Sequence, residues 1–240
     1  MNAARSALFY VWMFATIIVM ALLCLPVLLM PRAVLTTAQR VFARLVLGGL
    51  RVICGVRIEV RGREHRPVGG ALIAAKHQSM LDGIAPLLFL RDPAFVLKKE
   101  LLANPVYGAY GRKAELISLD REGGAAALKT LVSDVRDRLS QGRPTIIFPE
   151  GTRRALGSPP DYKPGVAGLY REIDGPVIPM ATNSGLRWPA KGWIMQPGPA
   201  VYELLPPIAR GLKRGAFMTE LQARIEAVSE SVRAEGEQRV

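Results

Sequence analysis

From Leu8 to Met30 the chain runs 23 residues without a charged side chain, between Arg5 and Arg32. As a helix rising 1.5 Å per residue, such a run is long enough to cross a hydrocarbon core of about 30 Å. Pro26 interrupts it with a kink. A secretory signal is the competing reading, but the stretch exceeds the usual apolar core of one and no small-residue cleavage site follows closely. Arg32, Arg40, Arg44, Arg51 and Arg57 lie beyond the segment against the single Arg5 before it. The positive-inside rule therefore expects the bulk of the chain on the cytoplasmic face of the cell membrane, the inner membrane in a bacterium. A full crossing and a hairpin returning to the same face both remain open.

The following segment, Thr36 to Ile53, is amphipathic. On a helical wheel Arg40, Arg44 and Arg51 cluster on one edge, while Val41, Phe42, Leu45, Val46, Leu50, Val52 and Ile53 cover about half the circumference. That pattern suits a helix lying at a membrane interface with its arginines among the headgroups. It equally suits a helix packed on a core with a solvated basic edge. Either way residues 1–56 read as an N-terminal helical membrane anchor, and 57–240 as the remaining domain.

In that remainder, segments of strand and helix character alternate. Val56–Arg61 alternates apolar and polar residues, and Ala71–Ala75, Ala94–Leu97, Leu116–Leu119, Thr145–Phe148 and Val177–Ala181 are short apolar runs. Trp193–Leu205 supplies further strands interrupted by Pro197 and Pro199. Met80–Leu90 reads as a helix that Pro86 kinks or divides, and Lys98–Tyr110 as short helical pieces broken at Pro105 and Gly108. Leu128, Leu131, Val132, Val135 and Leu139 carry helical spacing after Gly123-Gly124, with Gly142 as the stop; Phe217, Leu221, Ile225, Val228 and Val232 mark a last helix. The fold class is α/β, a mixed and largely parallel sheet flanked by helices.

A balance of 32 Lys+Arg against 20 Asp+Glu, net +12, points to an anionic partner. Aromatic residues are 7% of the chain and no nucleic-acid motif occurs, so lipid and phosphate are favoured over specific nucleic-acid binding. Cys24 and Cys54 both lie in apolar segments, which excludes a disulfide framework and a cysteine metal cluster. No metal or organic cofactor is indicated.

Two stretches carry chemistry. In Lys76-His77-Gln78-Ser79-Met80-Leu81-Asp82, a histidine and a carboxylate stand five positions apart after a buried strand. On one continuous helix they would diverge by about 140°. A turn with Ser79 as N-cap and Asp82 in the first helical turn brings the carboxylate back toward His77. Imidazole is the side chain best suited to accept a proton near neutrality, and a carboxylate on its far nitrogen fixes the tautomer and stabilises the imidazolium. A purely structural Ser79–Asp82 cap beside a loop histidine fits the same spacing. The second stretch, Phe148-Pro149-Glu150-Gly151-Thr152-Arg153-Arg154, follows another buried strand. Gly151 permits close backbone approach to an anion, Thr152 offers a hydroxyl, and the arginines offer planar forks for phosphate oxygens. Glu150 could accept from a substrate hydroxyl or orient an arginine. A solvated glycine loop is the bland alternative. Ligands of open α/β sheets gather outside the carboxyl ends of strands, where both stretches lie.

Together these stretches resemble the glycerol-3-phosphate and lysophosphatidic acid acyltransferase superfamily. Its four ordered blocks are matched by His77–Asp82, Leu116–Arg121, Phe148–Arg153 and Val177-Ile178-Pro179-Met180-Ala181, with Lys98-Lys99-Glu100-Leu101 similar to a further family segment. The resemblance implies acyl transfer from a thioester, on acyl-carrier protein or coenzyme A, to the free hydroxyl of a glycerolipid. It makes lysophosphatidic acid the favoured acceptor and phosphatidic acid the product. It also implies His77 as general base, Asp82 as its orienting partner, and Arg121, Glu150, Gly151, Thr152 and Arg153 as phosphate-side contacts, with Pro179 in the block associated with the acyl-side wall. Lys76, Ser118 and Arg154 depart from the usual pattern, which leaves other lysolipid acceptors, amino-acid lipids included, open. A Ser79 esterase would need an exposed nucleophile, and Ser79 lacks the G-x-S-x-G elbow. A non-catalytic anionic-lipid-binding protein would be indifferent to loss of His77.

Overall fold

A computed structural model describes residues 1–238. Helix α1 (Asn2–Leu23) is the single described helix long and apolar enough to cross a membrane. Its buried stripe is Ser6, Phe9, Met13 and Thr16, at helical spacing, with Tyr10 and Trp12 flanking it against Trp188 and Leu45. Leu8, Val11, Phe14, Ile18 and Leu22 are exposed around the rest. After a 3-10 turn at Pro26–Leu29 comes α2 (Arg32–Cys54), which ends at Gly55 in the left-handed conformation that glycine adopts without a Cβ penalty. Leu35, Ala43, Val46, Leu47 and Leu50 of α2 are buried against α1 and the sheet, while Val34, Val41, Leu45 and Val52 form an exposed stripe. Both readings of the amphipathic segment thus have a face.

The remaining order is β1 (Val56–Arg61), β2 (Leu72–Ala75), α3 (Pro86–Phe89), β3 (Ala94–Lys98), α4 (Lys99–Ala103), α5 (Pro105–Lys113), β4 (Ile117–Leu119), α6 (Gly124–Ser140), β5 (Thr145–Ile147), α7 (Gly165–Glu172), β6 (Val177–Thr182), α8 (Ser184–Arg187), β7 (Gly198–Leu204) and α9 (Arg214–Gln238). The seven strands form one sheet in the order β1-β7-β6-β2-β5-β3-β4. Every pairing is parallel except β6 with β7. The sheet is mixed and largely parallel, as expected from its alternating elements.

Alternate residues of the central strand sort to its two faces. Ala71, Ile73 and Ala75 join α1, α2 and α3 in one apolar cluster, and Leu72 and Ala74 join α6, α7 and α9 in the other. Burial on both sides explains why β2 reads as an unbroken apolar run. The Met80–Leu90 helix is divided, as Pro86 predicts, into a 3-10 turn at Met80–Gly83 and α3 beginning at Pro86. Other local expectations change. Gly108 does not break α5, because the helix lies against α4 there and a Cβ at that position would meet the Leu102 carbonyl. Trp193–Leu205 yields one strand rather than several, beginning only at Gly198, and α7 has no counterpart in the sequence reading.

Candidate active site

Parallel pairing brings four chain segments to one edge of the sheet: those leaving β2 at His77, β4 at Arg121, β5 at Phe148 and β6 at Asn183. The Met80–Gly83 turn is capped reciprocally. Ser79 Oγ accepts from the Leu81 N–H at 3.2 Å, and Asp82 Oδ2 accepts back from the Ser79 N–H at 2.8 Å. The same oxygen accepts from the Gln78 N–H at 2.7 Å and lies 3.0 Å from His77 Nδ1. A capping motif therefore also builds the His–Asp pair, so the structural and chemical readings of those residues are not alternatives.

Asp82 is fully buried, and its other oxygen is held as firmly. Oδ1 accepts from Ser184 Oγ at 2.6 Å and from the Tyr202 hydroxyl at 3.0 Å. Complete burial, with the Asp82 charge beside it, pushes the Tyr202 hydroxyl well above its ordinary pKa and keeps it a donor. Five donors around one carboxylate compensate its burial and leave it a single orientation. The His77 ring stacks on Phe148 at 3.9 Å between centroids, tilted by 17°, and its side chain keeps 19% exposure. With Nδ1 turned to Asp82, Nε2 is the free ring nitrogen.

Below the loop lies a second buried network. Lys76 Nζ donates to Glu150 Oε1 at 2.8 Å and to Glu226 of α9 at 2.7 Å, and the Tyr162 hydroxyl donates to Glu226 at 2.9 Å. Glu150 Oε2 accepts from the His77 N–H at 3.2 Å, while the His77 carbonyl accepts from the Arg154 N–H at 2.8 Å. Both Glu150 oxygens are thus engaged inward, tying the two motif segments together. Burial raises the Glu150 carboxyl above its ordinary value, and Lys76 opposes that rise.

His77 opens into a cavity of about 1050 Å³. Its wall combines the apolar Val96, Leu97, Leu119, Leu128 and Leu131 with Arg121, Gly151, Thr152, Arg153 and Arg154. Gly151 has φ +67, and a Cβ there would face the Arg121 guanidinium at 3.7 Å. Arg121, Thr152 and Arg153 make no side-chain hydrogen bond or ion pair among the described residues, so their donors face the cavity unspent. Arg154 and Lys163 are instead both paired with Asp161. Pro179 stands apart. It is buried in β6 opposite Ala74, outside the cavity wall, and its carbonyl accepts from the Leu205 N–H where β6 and β7 part. The described residues contain no cluster of metal-binding side chains.

Ser184, Tyr202, Glu226 and the Lys76 contact were not identified as site residues from sequence. Ser184 and Tyr202 lie 102 and 120 positions from Asp82, and only the sheet brings them to it.

The architecture as a whole is shared with a solved protein. The crystal structure of the 1-acyl-sn-glycerophosphate (LPA) acyltransferase PlsC from Thermotoga maritima superposes with a TM-score of 0.80 over 98% of both chains, at 20% identity, which is a likeness of fold. Residues 57–183 match the family model described as Acyltransferase. The 1-acyl-sn-glycerol-3-phosphate acyltransferase of Pseudomonas aeruginosa is 32% identical over 234 residues, covering 96% of this chain and 91% of that protein. Proteins of the same description from Limnanthes alba (31% identical, 68% of this chain) and, as the alpha form, from mouse (30%, 69%) also align, the chain spanning 59% and 60% of their lengths. The chain belongs to the acyltransferase family and is an acyl-transferring enzyme.

Proposed function

We propose that this enzyme moves a fatty acyl group from a thioester, on acyl-carrier protein or coenzyme A, to the free hydroxyl of lysophosphatidic acid, forming phosphatidic acid for phospholipid synthesis. The observation that carries the reading is the His77–Asp82 pair facing a cavity whose wall combines apolar side chains with the unpaired Arg121 and Arg153. Its relatives' names supply the acceptor. His77 Nε2 takes the proton of the acceptor hydroxyl as that oxygen attacks the thioester carbon; Asp82 holds the tautomer and stabilises the imidazolium. The carbon–sulfur bond breaks as the new ester forms, the leaving sulfur takes the proton back from the imidazolium so that His77 is regenerated, and no metal or bound organic cofactor takes part. Arg121, Thr152, Arg153 and the Gly151 backbone hold the phosphate, and Glu150 acts on the loop from beneath rather than on the substrate. General-base catalysis accounts for about 10² to 10⁴-fold, with the rest from positioning and charge stabilisation.

The apolar surface of α1 and α2 seats residues 1–56 in the membrane with the catalytic domain on its cytoplasmic face. A Ser79 esterase is disfavoured because Ser79 is fully buried and its hydroxyl is spent on the cap. The test is transfer to lysophosphatidic acid in detergent or vesicles with both donors. His77→Ala should abolish product, and Ser79→Ala should retain it. Product formation that survives His77→Ala would refute the base, and failure of the wild type with both donors would refute the acceptor.

A further inference from the structure

At the opposite edge of the sheet from His77 lies a second cavity, of about 900 Å³, formed between α2, the Arg63–Val68 segment and the end of α3. The segment 63–68 leads into the start of β2, and Arg91 lies just before the start of β3. The length of β2, about 13 Å, therefore separates this cavity from the catalytic edge. Its wall carries Arg40, Arg44, Arg63, Arg66 and Arg91 with Glu64 as its one acidic residue.

None of those five guanidiniums has a carboxylate within ion-pair distance among the described residues. Glu64 is 73% exposed and its one partner is His65, at 3.8 Å. The neighbouring arginines behave otherwise: Arg32 and Arg143 are both paired with Asp92 and Glu115. Five guanidiniums without a carboxylate around one concave site repel one another unless an anion joins them, and the backbone carbonyls of Val60 and Phe89 that Arg63 and Arg66 reach do not neutralise them. Arginine forks suit phosphate oxygens.

The surroundings say which phosphate. Arg40 and Arg44 are four residues apart on α2, and the next row of that helix is the exposed pair Val41 and Leu45, each 39% exposed, continuous with Val34 and Val52. Leu88 at 40% and Val68 at 99% are exposed on the cavity wall itself. The basic cavity therefore sits at the rim of the surface that the reading above places against the bilayer, at headgroup depth, with apolar residues beside it for acyl chains. We propose that it is a binding site for the phosphate headgroup of an anionic glycerophospholipid of the membrane, separate from the acceptor site. The inference rests on the membrane seating proposed above.

The test compares the full chain with Arg63→Gln/Arg91→Gln in binding to phosphatidylcholine vesicles with and without phosphatidylglycerol. Arg57→Gln/Lys191→Gln, at exposed positions that line neither cavity, removes the same charge as a control. With each headgroup contact worth about fivefold, the cavity variant should lose about 30-fold in affinity for the anionic vesicles, and the control little. Thermal unfolding of each variant checks folding; should the double variant fail it, Arg91→Gln alone should lose about fivefold. Equal losses in cavity and control variants would overturn the site in favour of diffuse charge. Absence of any anionic preference in the wild type would overturn it too. So would tight binding of glycerol 3-phosphate without vesicles that the cavity variant abolishes, because the ligand would then be soluble. Acyl transfer measured on the same wild-type preparation in detergent separates failure of this site from failure of the proposed reaction.

Discussion

Replacing Lys76 with Met would leave the Glu150 carboxylate without its cation. Lys76 keeps 5% and Glu150 0% side-chain exposure, so this pair is buried, whereas Glu226 keeps 30% and has Tyr162 as a second partner. Breaking a buried pair from one side costs about 3–5 kcal/mol. Because the His77 N–H still serves Glu150 and water reaches Glu226, the low end applies, about 3 kcal/mol. For a chain of this size that lowers Tm by about 6–12 °C. The pH dependence has a definite sign. Burial already raises the Glu150 carboxyl, with Lys76 opposing, so removing Lys76 raises it further. The variant's deficit should be largest above that raised value, where Glu150 must ionise while buried, and should shrink as pH falls toward the ordinary glutamate value of about 4.3. Thermal unfolding of wild type, Lys76→Met and Lys76→Met/Glu150→Gln in the same detergent, at mildly acidic and mildly alkaline pH, reads all of this. A deficit independent of pH, or a double variant no more stable than the single, would refute the reasoning.

Tyr202→Phe removes one of two donors to Asp82 Oδ1; kcat should fall about tenfold with little change in KM, at about 1–2 kcal/mol of stability, measurable by steady-state kinetics and unfolding. Ser79→Ala should lose about 1 kcal/mol of stability through the cap while acyl transfer continues, so loss of all turnover in a folded variant would contradict the direct-transfer reading. Gly151→Ala forces a Cβ into φ +67, costing about 1–2 kcal/mol, and should raise the acceptor KM, checked by titrating lysophosphatidic acid. Arg143→Ala removes a nearly buried guanidinium from Asp92 and Glu115, which keep Arg32 and are 21% and 38% exposed, and should lower stability by about 1 kcal/mol in thermal unfolding without altering acceptor KM.

Much of this molecule is written in short-range chemistry. The Leu8–Met30 run, the apolar strand before His77, the Ser79–Asp82 spacing and the glycine turn after Phe148 each depend on neighbours within a few residues, and those are the features legible in the chain. The Met80–Leu90 break at Pro86 follows from proline's missing N–H, equally local. What the string cannot carry is which distant groups meet. Glu150 was legible as an acidic residue in an anion-binding stretch; that its two oxygens turn inward to Lys76 and the His77 backbone depends on β5 pairing beside β2. Pro179 was legible as part of an apolar block resembling a family segment, yet the register opposite Ala74 buries it within the sheet and outside the cavity lining. Ser184 reaches Asp82 because β6 runs parallel beside β2, and Tyr202 because β7 runs antiparallel to β6 in the register that sets Thr182 against Tyr202. The sequence by itself determined the apolar N-terminal segment, the strand and helix alternation and the residue types of the site. Tertiary structure decided which carboxylate holds His77 and which faces Lys76, because burial and strand register, unlike helix caps and turns, are properties of residues far apart in the chain.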